Sequence, residues 1–306
     1  MMKREWFTLH IHLGYRYDNS PVIVSDGTRA PDDPPMVYTQ TAVPGSRAPR
    51  IAMVTATATA QTAPKIRNTG YEQTRTSLFV GNSFYYYNDS MHTKMLGLIN
   101  AADPQNRSQY RSTSITISGS GFNWHDMESY FRPNAVASYS FVGDNEIRFN
   151  KFDKPFDAVI MNDCSQCPVH PQLKGMFHEY AAKHSATVRK HGAKPILFMT
   201  WAYADKPEMT QQLAEEYTIA GNKNDALVIP AGLAFAKAIA KKPGIGMYAP
   251  DKRHPSMLGT YLSACTIYAA LYNKSPVGLS YTAGINAEMA KFLQEIAWRS
   301  EEHTSE

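Results

Sequence analysis

The 306 residues carry 31 basic and 27 acidic side chains, and the net charge of +4 is scattered without a basic cluster, which gives no support to nucleic-acid or membrane-surface binding. At 43% hydrophobic and 19% charged residues, the composition is that of a globular protein with room for a sizeable core. No run approaches the roughly 20 apolar residues of a transmembrane span. Three cysteines are too few for a disulfide framework.

Residues 1–72 read as an irregular or disordered extension, with Pro31, Pro34, Pro35, Pro44 and Pro49 and a Thr/Ala run, and one strand candidate at Trp6 to His12. Met1 to His12 lacks the apolar core of a secretory signal, about 7 to 15 residues, so location is not legible, and export stays open if the N-terminus is not native. From residue 73 short apolar runs alternate with amphipathic stretches, the pattern of βα repeats and a parallel sheet. Strands are expected at Ser77 to Val80, Ser114 to Ser118, Asp157 to Met161, Pro195 to Thr200 and Ala226 to Pro230. Helices are expected at Phe84 to Ile99, Trp124 to Phe131, Pro171 to His191, Lys206 to Ala220, Gly232 to Lys241 and Leu258 to Tyr272, with Gly192 and Gly221 as helix stops. The last of these reads as amphipathic. Five strands each feeding a helix give an α/β protein, a three-layer α/β/α sandwich on a five-stranded parallel sheet. Residues 299–306 have no apolar periodicity and read as a non-native tail, leaving 73–298 as the domain.

In such a sheet, ligands bind beyond the carboxyl ends of the strands. The first strand stops at Gly81 and presents Ser83, a candidate nucleophile. Gly119, Asn162 and Asp163 end later strands at the same rim. A base comes from Asp251-Lys252-Arg253-His254. At that spacing, one carboxylate can hold one ring nitrogen while the other faces the serine, which fixes the tautomer and stabilises the imidazolium. Trp124, His125 and Trp201 follow strand ends, where lining a substrate cleft and packing in the core are equal expectations. Cys164 and Cys167 form a C-x-x-C that could be a redox pair, half a zinc site or a local disulfide, and the expectation is that the two cysteines are incidental or structural. No histidine spacing suits a metal, so no metal and no cofactor are expected.

Taken in order, Gly81-Asn82-Ser83-Phe84, Ile117-Ser118-Gly119, Asn162-Asp163 and Asp251 to His254 resemble the four blocks of the SGNH (GDSL) hydrolase superfamily, over roughly residues 76–280. The final block, with its helix and Ser275-Pro276-Val277-Gly278-Leu279, looks especially similar to bacterial subfamilies that carry GNSF in place of GDSL. The resemblance implies a flavodoxin-like SGNH fold and a serine esterase acting on a small-molecule ester through an acyl-enzyme, with a small acyl group or a carbohydrate ester as the analogous substrate. Ser83, His254 and Asp251 would be nucleophile, base and orienting acid. The backbone N–H groups of Ser83 and Gly119 would form an oxyanion hole, completed by the amide of Asn162, with Gln166 as its rival. Two departures stand out: no glycine precedes Asn162, and Asn82 replaces the more usual aspartate. The alternative is a non-catalytic SGNH-like module that binds a glycan or small ligand. A nucleotide-binding flavodoxin-like protein is disfavoured, because the first loop has no Gly-rich phosphate cradle.

Overall fold

The computed structural model describes residues 63–67, 70–136 and 139–302. The strand expected at Trp6 to His12 and most of the expected extension lie outside them. Its last part does not stand apart from the domain. Asn222 ties the backbone of Ala63 and Lys65, and the buried Tyr71 donates its hydroxyl to the carbonyl of Pro195.

Five strands, β1 (Thr76–Gly81), β2 (Arg111–Thr116), β5 (Ala158–Met161), β6 (Lys194–Phe198) and β7 (Leu227–Ile229), form one parallel sheet in the order β2-β1-β5-β6-β7. A second, two-stranded antiparallel sheet, β3 (Tyr139–Gly143) with β4 (Glu146–Phe149), is inserted between β2 and β5. Strand alternation sorts the core into two halves. Leu78, Val80, Val159, Met161 and Leu197 face α3 (Lys174–Lys190) and α4 (Met209–Lys223). Phe79, Ile160, Ile196 and Phe198 face α1 (Ser83–Tyr86), α2 (Met91–Ala102), α5 (Ala231–Lys241), α6 (Met257–Tyr272) and α7 (Ala287–Glu302). This is the expected α/β/α sandwich. Among the described residues, no helix is long and apolar enough to cross a membrane.

Four local expectations are corrected. The helix expected from Phe84 to Ile99 is broken by Asn88, Asp89 and Ser90, all at positive φ, where short polar side chains are best tolerated. Gly221 does not stop α4: it lies inside the helix, where a Cβ would come within 2.4 Å of Val228 Cγ2, so it lets helix and strand approach closely. The segment expected as a helix around Trp124 to Phe131 is two short 3₁₀ turns, Phe122–Trp124 and Met127–Phe131. Finally, α6 is buried all round rather than amphipathic, because α7 covers its outer face.

Candidate active site

Parallel register carries the loops to one rim. Gly81 pairs with Thr116 and Val80 with Met161, so the turns after β1, β2 and β5 emerge side by side. Asn82 stitches them together. Its Oδ1 caps α1 by accepting from the Phe84 N–H (3.1 Å), and its Nδ2 donates to the carbonyls of Ser120 (2.9 Å) and Asp163 (3.1 Å). The side chain is only 4% exposed, so these bonds are made away from competing water.

Ser83 opens α1, and its Oγ lies 2.7 Å from His254 Nε2. The other ring nitrogen, Nδ1, makes a short contact with Asp251 Oδ2. The second carboxylate oxygen, Oδ1, accepts from the backbone N–H groups of Arg253 (2.9 Å) and His254 (3.0 Å). That tight turn places Lys252 at φ 62°. Burial pushes the Asp251 carboxyl up, but hydrogen bonds from the His254 ring and from the two backbone donors outweigh it and hold Asp251 below the usual carboxylate range. With Nδ1–H donated to Asp251, Nε2 is left to accept the Ser83 hydroxyl proton.

The loop that carries His254 is braced from several sides. Tyr87 stacks flat on the imidazole, with centroids 4.1 Å apart, and Phe84 meets its edge at 5.6 Å. Asn88 donates to the Pro255 carbonyl (3.0 Å) and to Thr260 Oγ1 (2.8 Å). The Arg253 guanidinium lies over Tyr203 and pairs with Asp205. Sequence reasoning missed Tyr87, Asn88 and Asp205 as parts of this site. The run Tyr85-Tyr86-Tyr87-Asn88, two residues after the serine, was the one signal present, and nothing in it ranks one tyrosine above another.

The expected cleft residues separate. Trp124 is 58% exposed beside Tyr180, Lys183 and His184. His125 is buried and bonded to Ser120 Oγ and to the Tyr130 hydroxyl, 3.0 Å each. Trp201 is fully buried, stacked between Phe84 and Phe235, and its indole N–H donates to the Arg253 carbonyl, so it supports the His254 loop from beneath. Neither His125 nor Trp201 offers a face to a ligand.

Asn162, expected as the side-chain oxyanion donor, is also buried. Its Nδ2 donates to Asn82 Oδ1 (3.2 Å) and to the Asp163 carbonyl (3.0 Å), which occupies both amide hydrogens. It packs so closely on Gly81 that a Cβ there would lie 1.8 Å from Asn162 Oδ1, which accounts for the glycine. Gln166 is exposed, inside a turn closed by a Cys164–Cys167 disulfide. Of the forms open to the C-x-x-C, the structure adopts the local disulfide. Asp163 and these two cysteines are also the one group among the described residues whose ligand atoms lie close enough for a metal. Disulfide-bonded sulfurs are not thiolate ligands, so the arrangement does not fit a metal.

Asp163 is 2% exposed, and burial pushes its carboxyl up to about 6 despite hydrogen bonds from the Phe122 and Cys164 N–H groups. Because the folded pKa lies above the unfolded value, its contribution to stability is full below pH 4 and is lost as pH rises toward 6. The shift corresponds to about 3 kcal/mol. Thermal melts from pH 4 to 7 are expected to show the difference between wild type and Asp163→Asn changing across that window. A constant difference would mean that the carboxyl titrates normally.

No family model matches the chain, and no curated relative does. Solved structures similar in fold include a DUF4886 family protein from Bacteroides uniformis, at 18% identity and TM-score 0.48, covering 74% of this chain and 93% of that one. TesA matches at 15% identity and TM-score 0.47, covering 65% of this chain and 98% of that one. A catalytic mutant of an acetylxylan esterase from Geobacillus stearothermophilus matches at 15% identity and TM-score 0.44, over 64% of this chain and 94% of that one. Similarity at this level carries neither activity nor substrate across, so function is argued from this chain's own residues.

Proposed function

We propose that the chain is a serine esterase of the SGNH type, hydrolysing carboxylic esters through an acyl-enzyme. The observation that carries this reading is the continuous line from Asp251 through His254 to Ser83 Oγ, assembled from residues up to 171 positions apart. Ser83 attacks the ester carbonyl as His254 Nε2 takes its proton, and Asp251 holds the imidazolium. The proton then goes to the leaving alcohol. Water adds by the reverse path, releasing the acid and restoring the Ser83 hydroxyl.

The oxyanion is assigned to the backbone N–H groups of Ser83 and Gly119, which follow the paired ends of β1 and β2. Gly119 has φ 72°, a conformation that favours glycine. Asn162 is assigned to anchoring Asn82, because donation to an oxyanion would cost it one of its two bonds. The exposed amide of Gln166 is the side-chain donor left on the same turn.

Purified protein is expected to hydrolyse p-nitrophenyl acetate and to be labelled by a fluorophosphonate, with both lost in Ser83→Ala. Turnover and labelling no higher in the wild type than in that variant would overturn the proposal. The commitment of both Asn162 hydrogens favours a second reading in that case, a binding module whose oxyanion hole is incomplete.

A further inference from the structure

Gly119 is assigned one of the two backbone donors of the oxyanion hole, yet nothing in Gly119 itself aims its N–H. Ile117 to Ser120 form a turn closed by the Ser120 N–H on the Ile117 carbonyl (3.1 Å), with Gly119 as its third residue at φ 72° and Ser118 at negative φ. That is a type II turn, and its central peptide carries the Gly119 N–H. Glycine takes either sign of φ with equal ease, so the same residue also fits a type I turn, in which that peptide is flipped and its N–H points to the other side. The direction of the donor therefore depends on what holds Ser120.

Ser120 is fully buried. Its carbonyl accepts from Asn82 Nδ2 (2.9 Å), and its Oγ stands 3.1 Å from the Gly81 carbonyl and 3.0 Å from His125 Nε2. His125 Nδ1 in turn meets the Tyr130 hydroxyl at 3.0 Å. A carbonyl has no hydrogen to give, so Ser120 donates to Gly81, His125 Nε2–H donates to Ser120 Oγ, and Nδ1 accepts from Tyr130. The reverse order would leave the Ser120 and Gly81 oxygens facing each other with no hydrogen between them. Burial keeps the ring neutral, its pKa pushed down to about 4, as this arrangement requires.

We propose that His125 is a positioning residue of the oxyanion hole: acting through Ser120, it holds the type II turn and so aims the Gly119 N–H at the rim where Ser83 stands. This assignment rests on the esterase reading. The imidazole touches no substrate. Without its N–H, the Ser120 oxygen is left short of a partner away from water, and flipping the turn is the rearrangement open to it.

Steady-state turnover of four variants is the test. His125→Leu, which keeps bulk and loses the donor, should lower kcat toward the roughly 10²-fold loss of a whole oxyanion donor, with KM within about threefold, because the oxyanion forms only beyond the ground state. Ser120→Ala should show the same split, and it removes a single oxygen, so it reads the same turn should His125→Leu not fold. The double variant should lose no more than the worse single one, since both act on one turn. His125→Gln, which keeps an N–H near the Nε2 position, should recover most of the loss. Full kcat in either single variant, a loss carried by KM, or losses that multiply in the double variant would overturn this assignment alone. Turnover that Ser83→Ala does not abolish would overturn the esterase reading, and this assignment with it.

Discussion

Asp251→Asn is expected to lower kcat for ester hydrolysis about 10³- to 10⁴-fold while leaving KM and folding nearly unchanged. The size of the loss follows from how the carboxylate is held. Its Oδ1 accepts from the Arg253 and His254 N–H groups, so the introduced amide keeps its oxygen there and turns its NH₂ toward the imidazole. Nδ1 must then accept, the ring proton moves to Nε2, and that nitrogen points a hydrogen at Ser83 Oγ instead of a lone pair. The serine keeps its position and loses its base. Turnover and circular dichroism of the purified variant check this, and activity within tenfold of wild type would remove Asp251 from the orienting role.

Asn82→Asp is the second large effect, because it tests whether the aspartate more common in the SGNH superfamily can serve here. In this chain Nδ2 donates to two buried carbonyls, of Ser120 and Asp163, and a carboxylate has no hydrogen to give either of them. Three oxygen acceptors would face one another with water excluded. Leaving such groups unpaired costs about 3 kcal/mol, more where a charge is involved. Both stability and turnover are expected to fall, whereas a surface position would show neither. Chemical denaturation alongside the ester assay measures it. A variant as stable as wild type would mean that the turn rearranges to accept the acid.

The five strands and the order of the site residues were legible because each rests on local chemistry: apolar runs of strand length, a stop at Gly81, and an acid three residues before a histidine. The break at Asn88 to Ser90 was not legible, since apolar spacing continues through it and the polar residues sit where a helix would expose them. The buried character of α6 depends on α7, a helix lying 15 residues further along the chain, so no window on α6 alone reveals it. The hairpin escaped notice because its apolar residues face outward, with no core pattern to mark them. For Trp201 and His125, lining a cleft and packing in the core were equal expectations, because sequence gives a residue's position on a strand end but not which side of the loop it packs against; both side chains are buried. The commitment of Asn162 depends on Asn82, 80 positions away, and no spacing rule relates the two.

Asn88 bonds to Pro255 and Thr260, and Tyr87 lies on His254, so the five residues after Ser83 also fasten the loop that carries His254. Opening that loop would break the Asn88 bonds and unstack Tyr87 in the same event. The rim therefore behaves as one cooperative unit in local unfolding, and amides of the Ser83 turn and of the Asp251 loop should exchange their hydrogens together.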